Sequence, residues 1–182
     1  MKWIIASDIH GCSSSTKRLI EIYEKEKAER FLFLGDILYH GPRNALPGEY
    51  DTFEVAQLLN RYAAQIYCVR GNCDAEVDQQ VLEFPIVADY MQLPIEGKVF
   101  FATHGHHFGP NHLPPIGSAD YLLCGHTHIP ACEKIEDITY LNPGSTSIPK
   151  GGSKQSFILL DGNKLYWRHL DDNSTYWEMT IE

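Results

Sequence analysis

The stretch Lys2-Trp3-Ile4-Ile5-Ala6-Ser7-Asp8-Ile9-His10-Gly11 decides the fold. Trp3 to Ala6 is apolar without alternation, the pattern of a strand covered on both faces. Asp8 and His10 follow where that strand should end, and Gly11 lets the chain turn sharply. Two residues apart on an extended backbone, their side chains are expected to point the same way. A carboxylate and an imidazole on one side of a strand end suit a divalent cation.

Working outward, Ser13 to Thr16 offers N-capping side chains, and Leu19, Ile22, Tyr23 and Glu26 continue at helical spacing to about Arg30. Phe31 to Leu34 is a second short apolar run, ended by Gly35-Asp36. Strand, helix and strand in this compass form a βαβ unit with parallel strands. Asp8 and Asp36 then share the carboxyl-terminal edge of an α/β sheet, where ligand sites of such sheets gather.

The rest of the chain repeats the theme. Residues 40–50 are rich in Gly and Pro and predict a surface loop. Phe53 to Ala63 carries the apolar stripe of a second helix. Ile66 to Val69 reads as a buried strand ending in Arg70-Gly71-Asn72-Cys73-Asp74, and Ala75 to Ile95 as one short helix and a strand. Val99 to Thr103 predicts a strand ending in His104-Gly105-His106-His107, before a Pro/Gly-rich loop from Gly109 to Gly117. Asp120 to Cys124 ends in Gly125-His126-Thr127-His128, and Thr139 to Leu141 ends in Asn142-Pro143-Gly144-Ser145. Phe157 to Leu160, Lys164 to His169 and Thr175 to Ile181 read as antiparallel strands. With no linker, repeat or low-complexity segment, one mixed-sheet domain over residues 1–182 is expected.

Composition narrows the function classes. The net charge of −9 and the lack of a basic run argue against broad nucleic-acid binding. No apolar run approaches a membrane span and the N-terminus has no signal-peptide pattern, so a cytoplasmic protein is expected. Cys12, Cys68, Cys73, Cys124 and Cys132 are odd in number and lack Cys-x-x-Cys spacing, which argues for reduced thiols and against a zinc ribbon.

Asp8, His10, Asp36, Asn72, His104, His126 and His128 all fall at strand ends. One histidine there is ordinarily a surface residue, and Asp8, Asp36 or Asn72 could each cap a helix. Local reasons do not explain all of them together. Three carboxylate or amide groups with four imidazoles make a mixed oxygen and nitrogen set that suits Mn²⁺, Fe²⁺ or Zn²⁺. The set is too large for one ion and right for two if one carboxylate bridges. Two such ions clamp the attacking and leaving oxygens of an in-line displacement, and their positive charge attracts a phosphate ester.

Asp8-x-His10, Gly35-Asp36, Gly71-Asn72-x-Asp74, His104-Gly105-His106 and Gly125-His126-Thr127-His128 together resemble the signature of the calcineurin-like metallophosphoesterases. Asn142-Pro143-Gly144-Ser145 is similar to a segment of their small bacterial and archaeal branch. The resemblance implies a four-layer α/β/β/α sandwich of two mixed β-sheets. It also implies one metal on Asp8, His10, Asp36 and His128, a second on Asp36, Asn72, His104 and His126, and in-line attack by a metal-bridging hydroxide on a small phosphodiester. Members of the branch are often manganese-dependent, and members of this size commonly self-associate as dimers or tetramers.

Many members of the family carry His after Gly-Asn, where this chain has Cys73. Asn72, Cys73 and His106 are therefore the candidate catalytic residues, with Cys73 and His106 sharing phosphate contact and proton delivery. In the 40–50 loop, His40 and Arg43 are the candidates for substrate binding. Asp74 is expected to orient an imidazole and Asn142 to Ser145 to buttress the loop of His126 and His128. The rival readings are a non-catalytic scaffold of the same fold, as in the retromer subunit, and a phosphomonoesterase or cyclic-nucleotide phosphodiesterase on the same site.

Overall fold

The computed structural model describes residues 1–114 and 120–182. Its elements in order are β1 (Lys2–Ala6), α1 (Ser13–Glu26), β2 (Arg30–Phe33), α2 (Thr52–Asn60), β3 (Ile66–Cys68), β4 (Tyr90–Ile95), β5 (Lys98–Thr103), β6 (Tyr121–Leu123), β7 (Ala131–Ile135), β8 (Ile138–Asn142), β9 (Ser156–Asp161), β10 (Lys164–His169) and β11 (Thr175–Thr180). Short 3₁₀ turns lie at Ala63–Gln65 and Asp78–Gln80.

Two mixed sheets result. The first runs β11-β10-β9-β1-β2-β3 and the second β4-β5-β6-β8-β7. β1, β2 and β3 are parallel, as are β5, β6 and β8, while β9 joins β1 antiparallel. The carboxyl ends of both parallel sets therefore hold the polar clusters read from the sequence.

The uniform apolar runs are explained by burial on two sides. Ile4 and Ala6, Phe31 and Phe33, and Phe157 and Leu159 pack with Leu19, Ile22 and Val55 of α1 and α2 on the outer face of the first sheet. The alternate residues Trp3, Ile5, Leu32, Ile158 and Leu160 face Phe100, Ala102, Tyr121 and Leu123 of the second sheet. The other face of the second sheet carries Phe101, Leu122 and Tyr140, against which Phe108 and Leu113 pack. Alternation is present in space and invisible in sequence, because both faces are dry.

Several local expectations change. No Ser or Thr side chain caps α1: Cys12 holds the N-cap position without a side-chain bond, and Thr16 Oγ1 instead donates back to the Cys12 carbonyl at 2.8 Å. α1 stops at Glu26 because Lys27 turns left-handed at φ 54°. Strand β7 has no counterpart in the sequence reading. Its Glu133 and Lys134 are exposed, and it exists by pairing with β8 across the tight turn at Glu136-Asp137, as a charged edge strand does. The Gly109–Gly117 loop reading extends past the described residues, which stop at 114 before resuming at 120.

Trp167 is fully buried between the sheets, whereas Trp177, 5.1 Å away on β11, is 39% exposed. Trp167→Ala is expected to cost about 3–5 kcal/mol of stability as a large core truncation. Trp177→Ala should cost much less. Urea midpoints at constant m-value measure both.

Candidate metal centre

The loop after β1 lies along the loop after β2. Asp8 N donates to the Gly35 carbonyl at 3.1 Å, His10 N to Asp36 at 3.0 Å and Gly11 N to Ile37 at 2.9 Å. These residues are not extended: Asp8 has φ 56° and His10 φ 49°. Their side chains converge because both residues are left-handed, which corrects the expectation of an extended segment. Asp36 (57°), His126 (64°) and His128 (61°) adopt the same conformation. At about 1 kcal/mol or more for each non-glycine residue, the strain is on the order of 5 kcal/mol, comparable to the net stability of a small domain. Two loops also cross at glycines. A Cβ on Gly71 would overlap the Asp36 carboxylate, and one on Gly125 would overlap Ser7.

The histidines are fixed by their outer ring nitrogens. His10 Nδ1 bonds the Tyr39 carbonyl at 2.7 Å, His104 Nδ1 the Leu34 carbonyl at 2.6 Å and His128 Nδ1 the Ile148 carbonyl at 2.6 Å. A carbonyl only accepts, so each Nδ1 carries a proton, and a cation bound inside would take the Nε2 lone pair of each ring in its neutral form. Inward, the ring nitrogens meet one another: His10 Nε2 lies 3.3 Å from His128 Nε2, and His104 Nε2 lies 3.2 Å from His126 Nδ1.

Two groups of donors share one residue. Asp8 Oδ1 lies 3.3 Å from His128 Nε2 and 3.6 Å from His10 Nε2. His104 Nε2 lies 3.1 Å from Asn72 Oδ1. Between them, Asp36 Oδ2 is 3.7 Å from His10 Nε2 and 3.4 Å from His104 Nε2. Asp8 Oδ1 is buried with no hydrogen-bond donor aligned on it among the described residues. A buried carboxylate oxygen with no aligned donor among the described residues, facing the inward ring nitrogens of three imidazoles, fits a divalent cation better than a hydrogen-bond network. Ligand atoms of Asp8, His10 and His128 lie within 4.8 Å of one another, as do those of Asp8, Asp36 and His104.

The electrostatics follow from this packing. Burial opposes ionisation of Asp8, yet the facing imidazoles of His10 and His128 hold its carboxyl far below the usual range. Burial also opposes a charge on His104, but Asp36 and Asp8 outweigh it and raise the ring to about 9 in the metal-free protein. Burial, aided by the His104, His107 and His126 rings, pushes His106 down to about 4. Burial and the Asp36 carboxylate push the Cys73 thiol up to about 12.

Asp74 does not orient an imidazole. Its buried carboxylate accepts from the backbone N–H groups of Asp36 at 2.8 Å, Ile37 at 2.8 Å and Gly71 at 2.7 Å, holding the two crossing loops together. Asn142 buttresses the histidine loop: its Nδ2 donates to the Gly125 carbonyl at 2.7 Å and to Thr127 Oγ1 at 3.1 Å. Ser145 Oγ donates to the Asp8 carbonyl at 2.8 Å.

A cavity of about 450 Å³ opens beside the centre, and Asp36, Asn72, Cys73, His126, His128 and Arg43 help to line it. Lys150 lines it too and was not anticipated; its only sequence signal is a lone cation between Pro149 and the Gly151-Gly152 pair. His40 is not among the lining residues and packs edge-on to Tyr39 and Tyr50. His106 also stands behind the wall, its ring 5.4 Å from His104 and 6.2 Å from His126.

The sequence model of the calcineurin-like phosphoesterase superfamily domain matches residues 1–164. The chain belongs to this superfamily. It is 46% identical to "Phosphodiesterase YfcE" of Escherichia coli K12 over 181 residues, covering all of this chain and 98% of the relative. The solved structure of that phosphoesterase superposes with a TM-score of 0.95 over the whole of both chains. "Phosphodiesterase MJ0936" of Methanocaldococcus jannaschii is 28% identical, covering 93% of this chain and 98% of its own. Vacuolar protein sorting 29 of Cryptosporidium parvum shares the superfamily fold with a TM-score of 0.65 at 20% identity.

Backbone strain at the centre is open to a direct comparison. Replacing Asp8 or His128 by Gly or by Ala removes the same functional group, but only Gly tolerates the left-handed φ. The glycine variant is expected to be the more stable of each pair by about 1 kcal/mol in thermal or urea unfolding of the metal-free protein.

Proposed function

We propose that the chain is a metal-dependent phosphodiesterase whose centre holds two divalent cations, Mn²⁺ first among Mn²⁺, Fe²⁺ and Zn²⁺. The observation that carries the reading is the set of inward-facing ring nitrogens around Asp8 and Asp36, with the rings of His10, His104 and His128 each fixed from outside by a backbone carbonyl. Asp8, His10, Asp36 and His128 form one site, and Asp36, Asn72, His104 and His126 the other, with Asp36 shared. Bound there, the cations would supply a nucleophile from water and positive charge for in-line displacement at phosphorus. Both the bacterial and the archaeal relative are named as phosphodiesterases, which supports the diester as substrate.

The protein side of the reaction is positioning and proton delivery. Asn72 reaches the cavity next to Cys73, and Cys73 N donates to Asp36 Oδ1 at 2.8 Å, so the thiol stands on the wall where a phosphate would sit. His106, with an Nδ1 that no described group satisfies, backs the ring of His104 from the second site. Arg43 on the cavity wall binds the non-reacting part of the diester; His40 shapes its loop. The free state of all five cysteines supports a reducing compartment, the cytoplasm. Exposed Phe53, Val77 and Val81 beside an apolar cleft support self-association of the chain, which sedimentation measures.

Turnover of bis(p-nitrophenyl) phosphate is expected with Mn²⁺ and should vanish with chelator or in Asp36→Asn. Metal-independent or absent turnover, with the fold intact, overturns the reading. On a diester with a poor leaving group, Cys73→Ser is expected to lower kcat by about 10²-fold, the usual scale of a lost proton donor, and His106→Ala to lower it through the His104 ring that it backs. Wild-type kcat in both variants dismisses the assignment.

A further inference from the structure

We infer that Lys150 and Arg43 form an anion subsite selecting diesters whose non-reacting arm carries a second phosphate. The inference rests on the phosphodiesterase reading and names the substrate class of that same site. Both cations line the cavity, and they come from different segments of the chain.

Arg43 comes from the 40–50 loop. That loop is closed by Asn44 Nδ2 donating to the His40 carbonyl at 2.8 Å and packed at Gly41 against Cys73, where an added Cβ would lie 3.1 Å from the sulfur. Lys150 comes from the segment after β8, which wraps His128. The His128 ring donates to the Ile148 carbonyl at 2.6 Å, and Lys150 N donates to the His128 carbonyl at 3.2 Å. Ser153 then donates twice to the Lys150 carbonyl, at 3.1 Å from its N–H and 2.7 Å from its hydroxyl. Lys150 is thus set on a hydrogen-bonded turn whose geometry is tied to a candidate ligand.

Among the described residues neither Arg43 nor Lys150 has a carboxylate partner within 4.0 Å. Yet the chain has 24 Asp and Glu against 15 Lys and Arg, so partners are in excess. Two cations kept clear of protein anions at the mouth of an anion-binding centre are available to the solute. A diester phosphate carries one negative charge, which the centre itself engages. A second anionic group is what the additional pair would engage, Lys150 as a point charge and Arg43 as a planar fork. The cavity volume of about 450 Å³ is ample for such a ligand.

The test compares two chromogenic diesters with one leaving group, p-nitrophenyl propyl phosphate and its analogue with a terminal phosphate on the propyl arm. The wild type is expected to favour the phosphate-bearing diester by about tenfold in kcat/KM, mostly through KM, with the preference shrinking as salt rises. Lys150→Ala should bring the ratio near parity, Arg43→Ala should lower it, and Lys150→Arg should restore most of it. A ratio that survives Lys150→Ala, or a loss shared equally by both diesters, overturns the inference. Calorimetry with propane-1,3-diol bisphosphate and propyl phosphate on the Mn²⁺-supplemented protein decides it without turnover. If neither diester is hydrolysed, the phosphodiesterase reading fails. In that case equal affinity of wild type and Lys150→Ala for the bisphosphate sinks the subsite, and a weaker variant upholds it.

Discussion

The Asp74 carboxylate holds the N–H groups of Asp36, Ile37 and Gly71, and the rest of the centre is built on that grip. The loops after β2 and β3 cross so closely that only glycine fits at 35 and 71. Burial pushes the Asp74 carboxyl up, against which the three donated N–H groups favour its charge. The same three donors would otherwise be buried polar groups without partners, each costing about 1–3 kcal/mol. With them satisfied, Asp36 is held in its left-handed conformation with one oxygen on the Cys73 amide and the other between His10 and His104.

The two sheets serve this arrangement by bringing their carboxyl-terminal edges together. β1, β2 and β3 supply Asp8, His10, Asp36 and Asn72, and β5 and β6 lead to His104, His126 and His128. The inter-sheet core of Trp3, Ile5, Leu32, Phe100 and Ile158 sets their separation. Hydrogen bonds then knit the edges: Gly125 N donates to His104 O at 2.8 Å within the edge of the second sheet, and His126 N donates to the Asp8 side-chain Oδ2 at 3.0 Å, joining one sheet to the other. Such a frame can support five left-handed residues, because strain persists where surrounding contacts over-determine it.

The polar strand ends were legible because each strand is a short apolar run stopped by a motif of small and chemically distinctive residues. The βαβ start was legible because 3.6-residue periodicity separates α1 from its flanking strands. β7 was not legible: Ala131-Cys132-Glu133-Lys134-Ile135 has one buried residue, and its strand state comes from β8 alone. The cap of α1 was missed because Cys12 holds that position without a side-chain capping bond, while the hydroxyl of Ser15 pairs with the Cys12 sulfur. Lys150 carried no periodicity or motif. Its place depends on a turn wrapped around a histidine 22 positions earlier in the chain.

By itself the sequence determined which residue types stand at strand ends, that the central strands are dry on both faces, and that the donors are mixed oxygen and nitrogen. Those properties are local, since composition and spacing set them. The tertiary structure alone decided that the side chains converge through left-handed backbone, that carbonyls fix the ring tautomers, and that Asp74 serves the backbone instead of an imidazole. Each of these is a contact between segments distant in the chain, and the cost of bringing such segments together is met by packing that no local pattern encodes.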